Sequence, residues 1–171
     1  MEERYGVVSA GGQPLTLVGS PVVVGQKAPD FRLLDNDGQP VTLADTAGKV
    51  RLISVVPSLD TRVCDLQTRR FNAEADKLGD KVRILTVSVD LPFAQKRWCG
   101  AAGVDRLQTL SDHYDTNFGL AYGVLIKEKR LLARSIFIVD EQDIVRYVQI
   151  VPDLGQEPDY QAALDALKKI L

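Results

Sequence analysis

Two runs of β-branched and aliphatic residues narrow the folds open to this chain more than any other feature: RLISVVP, Arg51 to Pro57, and KVRILTVSVD, Lys81 to Asp90. Each reads as a strand buried on both faces, the pattern of a central strand in a sheet. Between them Thr61 to Leu78 carries helical spacing, with Cys64, Thr68, Phe71, Ala75 and Leu78 recurring on one face. A strand–helix–strand unit makes the two strands parallel and the crossover right-handed, so the helix lies against the sheet. The class is therefore α/β.

The rest of the chain fills in that sheet. LTLVG, DFRLL and PVTL read as short strands, the last two joined through DNDGQ, whose Asn-Asp-Gly is a turn signal. A second helix spans about Pro92 to Ala102, with proline where the first turn tolerates it. LLARSIFIVD and IVRYVQIV alternate around Glu141-Gln142-Asp143 as an antiparallel hairpin, and PDYQAALDALKKI places Tyr160, Leu164 and Leu167 on one face of a closing helix. The result is a mixed sheet covered by helices. No repeat or Pro/Gly/Ser-rich linker divides the 171 residues, so residues 1–171 read as a single domain. A chain of this size hides roughly 70% of its extended surface and needs no disulfide to fold.

Charge excludes some partners. With 21 basic residues against 23 acidic, a net charge of −2 offers little to nucleic acid or anionic lipid. The opening MEERYGVVSAGGQPLTLVGS has acid where a secretory signal needs base, and no apolar stretch long enough to span a membrane, so the cytoplasm is the expected compartment. In that reducing setting a cysteine pair is more often catalytic, redox-active or metal-binding than structural. Two cysteines and the single His113 do not fill a four-ligand zinc set, so neither metal nor cofactor is expected.

Cys64 is the residue to explain. With Asp60 or Thr61 as N-cap it falls in the first helical turn, where free N–H groups and the helix dipole favour a negative charge. It also shares the apolar face, so an inert buried cysteine is the competing reading. Lowering a thiol pKa from about 8.5 to about 6 takes roughly 3.4 kcal/mol, and a helix terminus supplies at most about 2. A cation must supply the rest. Ionisation alone raises the thiolate fraction at neutral pH only about thirty-fold, so fast chemistry also needs donors for charge on the leaving atom. Thr61 offers a hydroxyl, and Arg134 interrupts the apolar run LLARSIFIV, although an arginine there is also compatible with an edge or outward-facing position. Arg62, Arg69 and Arg70 read as a solvated helix face, although any of them could screen the site.

Pro57, Thr61 and Cys64 form P-x-x-x-T-x-x-C, which resembles the peroxiredoxin active-site motif; DLPFAQKRWCG and LLAR are similar to the thiol peroxidase branch, the atypical two-cysteine peroxiredoxins. The resemblance implies a thioredoxin-like fold, a central mixed β-sheet flanked by helices with an N-terminal β-hairpin extension. It further implies Cys64 as the peroxidatic cysteine and Cys99 as the resolving one. Thr61 would orient thiolate and peroxide, Pro57 would shield the pocket, and Arg134 would be the guanidinium. The implied partners are a hydroperoxide substrate, thioredoxin as reductant and a second copy in a homodimer.

The cysteines stand 35 positions apart, unlike a C-x-x-C exchange site. As a structural bridge they would contribute about 4 kcal/mol through loop entropy. As the resemblance implies, Cys64 instead becomes a sulfenic acid that Cys99 captures, and an exchange partner resets the disulfide. On the second helix Phe93, Ala94, Trp98 and Ala101 gather on one side and leave Cys99 off that stripe. Gly100 and Gly103 each cost about 1 kcal/mol relative to alanine, so this helix should unwind readily and deliver Cys99. Two alternatives stand beside this: a thioredoxin-fold redox sensor or binding module without turnover, and a cysteine hydrolase using His113, which sits in the polar LSDHYD.

Overall fold

The computed structural model describes residues 1–171. β1 (Glu3–Ala10) and β2 (Gln13–Val18) form the expected amino-terminal hairpin, turning on Gly11 and Gly12, whose φ of 57° and 83° suit a tight two-residue turn. β3 (Arg32–Leu34) and β4 (Pro40–Thr42) pair across the Asn-Asp-Gly turn, where Asp35 Oδ1 accepts the N–H groups of Asp37 and Gln39. The two apolar runs are β5 (Val50–Val55) and β6 (Val82–Ser88), parallel in register from Val50 opposite Val82 to Val55 opposite Val87, with α1 (Arg62–Leu78) crossing between them. α2 (Pro92–Ala102) follows, then β7 (Gln108–Ser111), α3 (Asn117–Ala121), β8 (Leu125–Ile126) and β9 (Leu131–Leu132). β10 (Ser135–Val139) and β11 (Val145–Ile150) are the expected hairpin, and α4 (Tyr160–Lys168) closes the chain behind its N-cap Asp159.

These strands make a seven-stranded mixed sheet, ordered β11-β10-β5-β6-β7-β3-β4, and a four-stranded sheet, ordered β1-β2-β8-β9. Alternation along the central strands explains why both faces are covered. Leu52, Ile136 and Ile138 pack with Phe71 and Ala75 of α1 and Ala163 and Leu167 of α4. Ile53, Val55, Phe137 and Val139 point the other way, into a core shared with Leu15 and Leu17 of β2, Leu125 of β8 and Phe118 of α3. Each side chain of this size buried in full contributes about 1.5–3 kcal/mol. No helix is long and apolar enough to cross a membrane.

β7, α3, β8 and β9 carry no readable period, because elements of two to five residues are shorter than the repeat that would reveal them. α3 is held instead by a side chain from outside it: Asp112 accepts the N–H groups of Phe118 and Gly119 at 3.0 and 2.8 Å. Burial pushes the Asp112 carboxyl up to about 6, against the pull of those two N–H groups. A folded pKa above the unfolded value near 3.9 makes the native state the tighter proton binder. That contribution is complete below about pH 4 and is lost as pH rises through about 6, an effect on the order of 2–3 kcal/mol. Urea unfolding of the wild type and Asp112→Asn across pH 4 to 7 should therefore show a decline in the wild type that the variant lacks; parallel profiles would refute this.

Candidate active site

The chain leaves the buried end of β5 through Val56 to Asp60 and enters α1 at Thr61, which is the N-cap: its Oγ1 accepts the Cys64 N–H at 3.4 Å. The loop is fixed from the far side of β6, where the Asp90 carboxylate accepts the Ser58 hydroxyl at 2.7 Å and the Leu59 N–H at 2.8 Å. Cys64 thus occupies the first turn of a 17-residue helix, fully buried against Val56, Leu59 and the partly buried Trp98. The helix terminus favours an anion at this position.

Arg134 is not inside a strand. It lies with Ala133 between β9 and β10, where the chain passes from the four-stranded to the seven-stranded sheet. That crossing turns the side chain inward, and only 1% of the residue is exposed. Its Nη1 donates to Gln67 Oε1 at 3.0 Å and its Nη2 to the Leu154 carbonyl at 2.7 Å. Gln67 in turn donates to Ser54 Oγ at 2.8 Å, which fixes the amide. The other fully buried arginine, Arg51, has Asp143 as its carboxylate; Arg134 takes part in none of the eight ion pairs of the chain. A buried guanidinium with only neutral acceptors carries an uncompensated desolvation cost, and an anion beside it relieves that cost. Gln67 is one turn along α1 from Cys64 and shares its buried face. Sequence reasoning passed over Gln67, yet a glutamine three residues after Cys64 on an apolar face was the available signal.

Pro57, Thr61 and Arg134 line one cavity of about 310 Å³ with Ala10, Val63, Leu131 and Leu154, and with Arg62 and Lys129 among its remaining wall residues. Cys64, without exposed surface, stands one turn inside this wall rather than on it. Three of the residues singled out from the sequence therefore line one cavity, and Cys64 lies one helical turn from Thr61. Cys99 does not join them. It is half-buried on α2, its Sγ 3.5 Å from Thr109 Oγ1, beside a groove lined by Asp35, Asp37 and Asp105. Both thiols are free.

The apolar stripe expected on α2 is corrected by the structure. Phe93 is 83% exposed and Ala101 is also outside, while Pro92 and Gln95 are the buried positions. The helix is docked through an amide, Gln95 Nε2 donating to Ser88 Oγ and to the Leu110 carbonyl, both at 3.0 Å. A pattern based on hydrophobicity misses an interface made by a satisfied polar group, and Cys99, one turn after Gln95, belongs to the inward side. His113 lies in another groove with Leu34, Leu91 and Phe93, away from the walls of the Cys64 cavity.

A parallel-centred mixed sheet with a thiol at the mouth of the helix after its central strand defines a thioredoxin-like α/β protein. The Redoxin family model matches residues 23–164, and the chain belongs to that family. It is 59% identical over 160 residues to a thiol peroxidase of Halalkalibacterium halodurans, covering 94% of this chain and 96% of the relative, and 56% identical to a thiol peroxidase of Bacillus subtilis with 94% and 95% covered. Among solved structures, a peroxiredoxin-like protein from Aquifex aeolicus superposes with a TM-score of 0.90 at 37% identity, covering 97% of this chain and 98% of that one. The thiol peroxidase from Chromobacterium violaceum, at 22% identity and a TM-score of 0.85, shares the fold over 95% of each chain.

Proposed function

We propose that this protein is a thiol-dependent peroxidase that reduces hydrogen peroxide and organic hydroperoxides through Cys64. The observation that carries this reading is the buried Arg134, without a carboxylate partner, held through Gln67 one helical turn from a buried thiol at a helix amino terminus. The sulfur attacks the terminal peroxide oxygen, the O–O bond breaks, and the electron pair leaves on the distal oxygen as water or an alcohol after protonation. Thr61 orients the hydroperoxide, Pro57 shields the pocket and Arg134 supports charge on the leaving oxygen. Cys64 is left as sulfenic acid.

Cys99 then displaces hydroxide, released as water, and closes an intramolecular disulfide. Thioredoxin, supplying two electrons by thiol–disulfide exchange, restores both thiols. The mainly apolar wall of Ala10, Val63, Leu131 and Leu154 supports alkyl or lipid-type substrates. A core shared by the two sheets supports residues 1–171 acting as one domain. Leu91, Phe93 and Tyr114, all exposed, offer apolar surface for a homodimer.

Steady-state consumption of an alkyl hydroperoxide, coupled to thioredoxin and its reductase, tests the reading. Turnover accompanied by loss of two hydrogens within one chain, seen by intact mass under non-reducing conditions, supports it. A protein that oxidises once and never cycles with full reductant is instead a sensor. Arg134→Ala should lower the peroxide rate by about 10²–10³, the cost typical of losing one preorganised charge-stabilising donor. A peroxide rate unchanged in folded Arg134→Ala would remove the electrostatic account. Arg134→Lys should recover only part of the rate, since lysine lacks the planar fork that meets Gln67 and Leu154 together.

A further inference from the structure

Forming the disulfide requires Cys99 Sγ to leave Thr109, so something must hold and then release the end of α2. The two ends of that helix are secured differently. At the amino end Pro92 and Gln95 are buried, and the Gln95 amide is tied to β6 and β7 through Ser88 and Leu110. At the carboxyl end Gly100, Ala101 and Gly103 are exposed, and the helix stops on Gly103, whose φ of 68° is left-handed. Apolar burial at this end is confined to Val104, just past the stop, whose N–H meets the Cys99 carbonyl at 3.0 Å, and to the partly buried Trp98.

Polar side chains of α1 add to that hold. Arg69 donates from Nη1 to the Ala102 carbonyl at 3.3 Å, and its guanidinium carbon stands 5.8 Å from the centre of the Trp98 ring. Asn72 Oδ1 accepts the Arg106 N–H at 2.9 Å, and Asp76 meets Arg106 at 3.0 Å. Arg69, Asn72 and Asp76 fall at i, i+3 and i+7, one stripe of the helix that carries Cys64. Asp65, one turn before Arg69, fixes that guanidinium at 2.9 Å. Arg69 is therefore more than a solvated surface cation. The exposed Asp76–Arg106 pair contributes little by itself, whereas Asn72 and Arg69 engage backbone groups that exist in this arrangement only while the segment stays folded.

We propose that Arg69 and Asn72 are positioning residues for Cys99: from the helix that carries Cys64, Arg69 holds the carboxyl-terminal end of the helix that carries Cys99 and Asn72 holds the connection that follows it, and release of this clasp sets the rate at which the disulfide closes. This rests on the peroxidase reading above. The step is Cys64–SOH plus Cys99–SH giving the disulfide and water. Its competitor is a second hydroperoxide, which oxidises the sulfenic acid to sulfinic acid while itself being reduced to water or alcohol. A tight clasp lengthens the exposure of the sulfenic acid. A loose one favours the disulfide.

Trp98, the only tryptophan, lies between Arg69 and Cys64 and reports the movement by fluorescence. Reduced protein mixed with one equivalent of hydrogen peroxide should show an oxidation phase and then a closing phase, the products identified by quench and intact mass. Asn72→Ala should speed closing about fivefold, the effect of one net hydrogen bond, and leave the oxidation phase unchanged. In excess peroxide its sulfinic fraction should fall by a similar factor. Arg69→Ala should act in the same direction, and Asn72→Asp, which keeps an acceptor for the Arg106 N–H, should close no faster than the wild type. A closing rate unchanged or slower in both alanine variants, or Asn72→Asp as fast as Asn72→Ala, would overturn the clasp alone. A wild-type protein that never forms the bond within one chain would overturn the peroxidase cycle and the clasp with it.

Discussion

Cys64→Ser should abolish hydroperoxide consumption, a loss of at least about 10⁴-fold of the kind seen when a lone nucleophile is removed. A serine hydroxyl is not ionised at neutral pH and has no accessible sulfenic state, so neither the guanidinium nor the helix terminus can substitute for sulfur. The variant should still fold. The pocket of Val56, Leu59 and Trp98 accepts a side chain of nearly the same size, with a cost on the order of 1–3 kcal/mol for burying the hydroxyl. Circular dichroism and urea unfolding separate that cost from the chemical loss. Peroxide reduction above about one per cent of wild type in a folded Cys64→Ser protein would mean the reacting group lies elsewhere, with Cys99 the remaining thiol.

Cys99→Ser should fail in a different way. Oxidation by the first equivalent of peroxide should proceed at the wild-type rate, since Cys99 lies outside the cavity that Pro57, Thr61 and Arg134 line. The reaction should then stop, leaving a chain heavier by one oxygen at Cys64 and no continued consumption of reductant with thioredoxin. Adding more peroxide should carry the trapped sulfenic acid on to sulfinic acid. The first-phase rate is the telling quantity, because a general structural defect would slow both phases. Multiple turnovers equal to those of the wild type would remove Cys99 from the cycle, and a dithiol reductant would then be acting on the sulfenic acid directly.

The long elements were legible because each repeats its signal. β5 and β6 are unbroken apolar runs, and α1 and α4 each place several apolar residues on one face, so length and period together separate strand from helix. The reading of α2 set its span correctly and its faces wrongly. Gln95 is buried because its amide meets Ser88 and Leu110, and a partner remote in sequence leaves no trace in hydrophobic spacing. Arg69 lies on the exposed face of α1, as its position suggests, but its role there is not local. Its contacts, Ala102 and Trp98, belong to another helix.

What the sequence determined by itself was the α/β class, the strand–helix–strand centre and the position of Cys64 in the first turn behind an N-cap at Asp60 or Thr61, of which the structure selects Thr61, since these depend on residues within a few turns of one another. The motif from Pro57 to Cys64 is local in the same sense. Whether Arg134 faced inward, with what partners and without which charge, was decided only when the chain crossed between two sheets and brought Leu154 and Gln67 to its guanidinium. Short-range order follows from backbone preference and hydrophobic period, which are written residue by residue. The electrostatics of a buried cation follow from desolvation and from groups dozens of positions away, and those exist only once the core has closed.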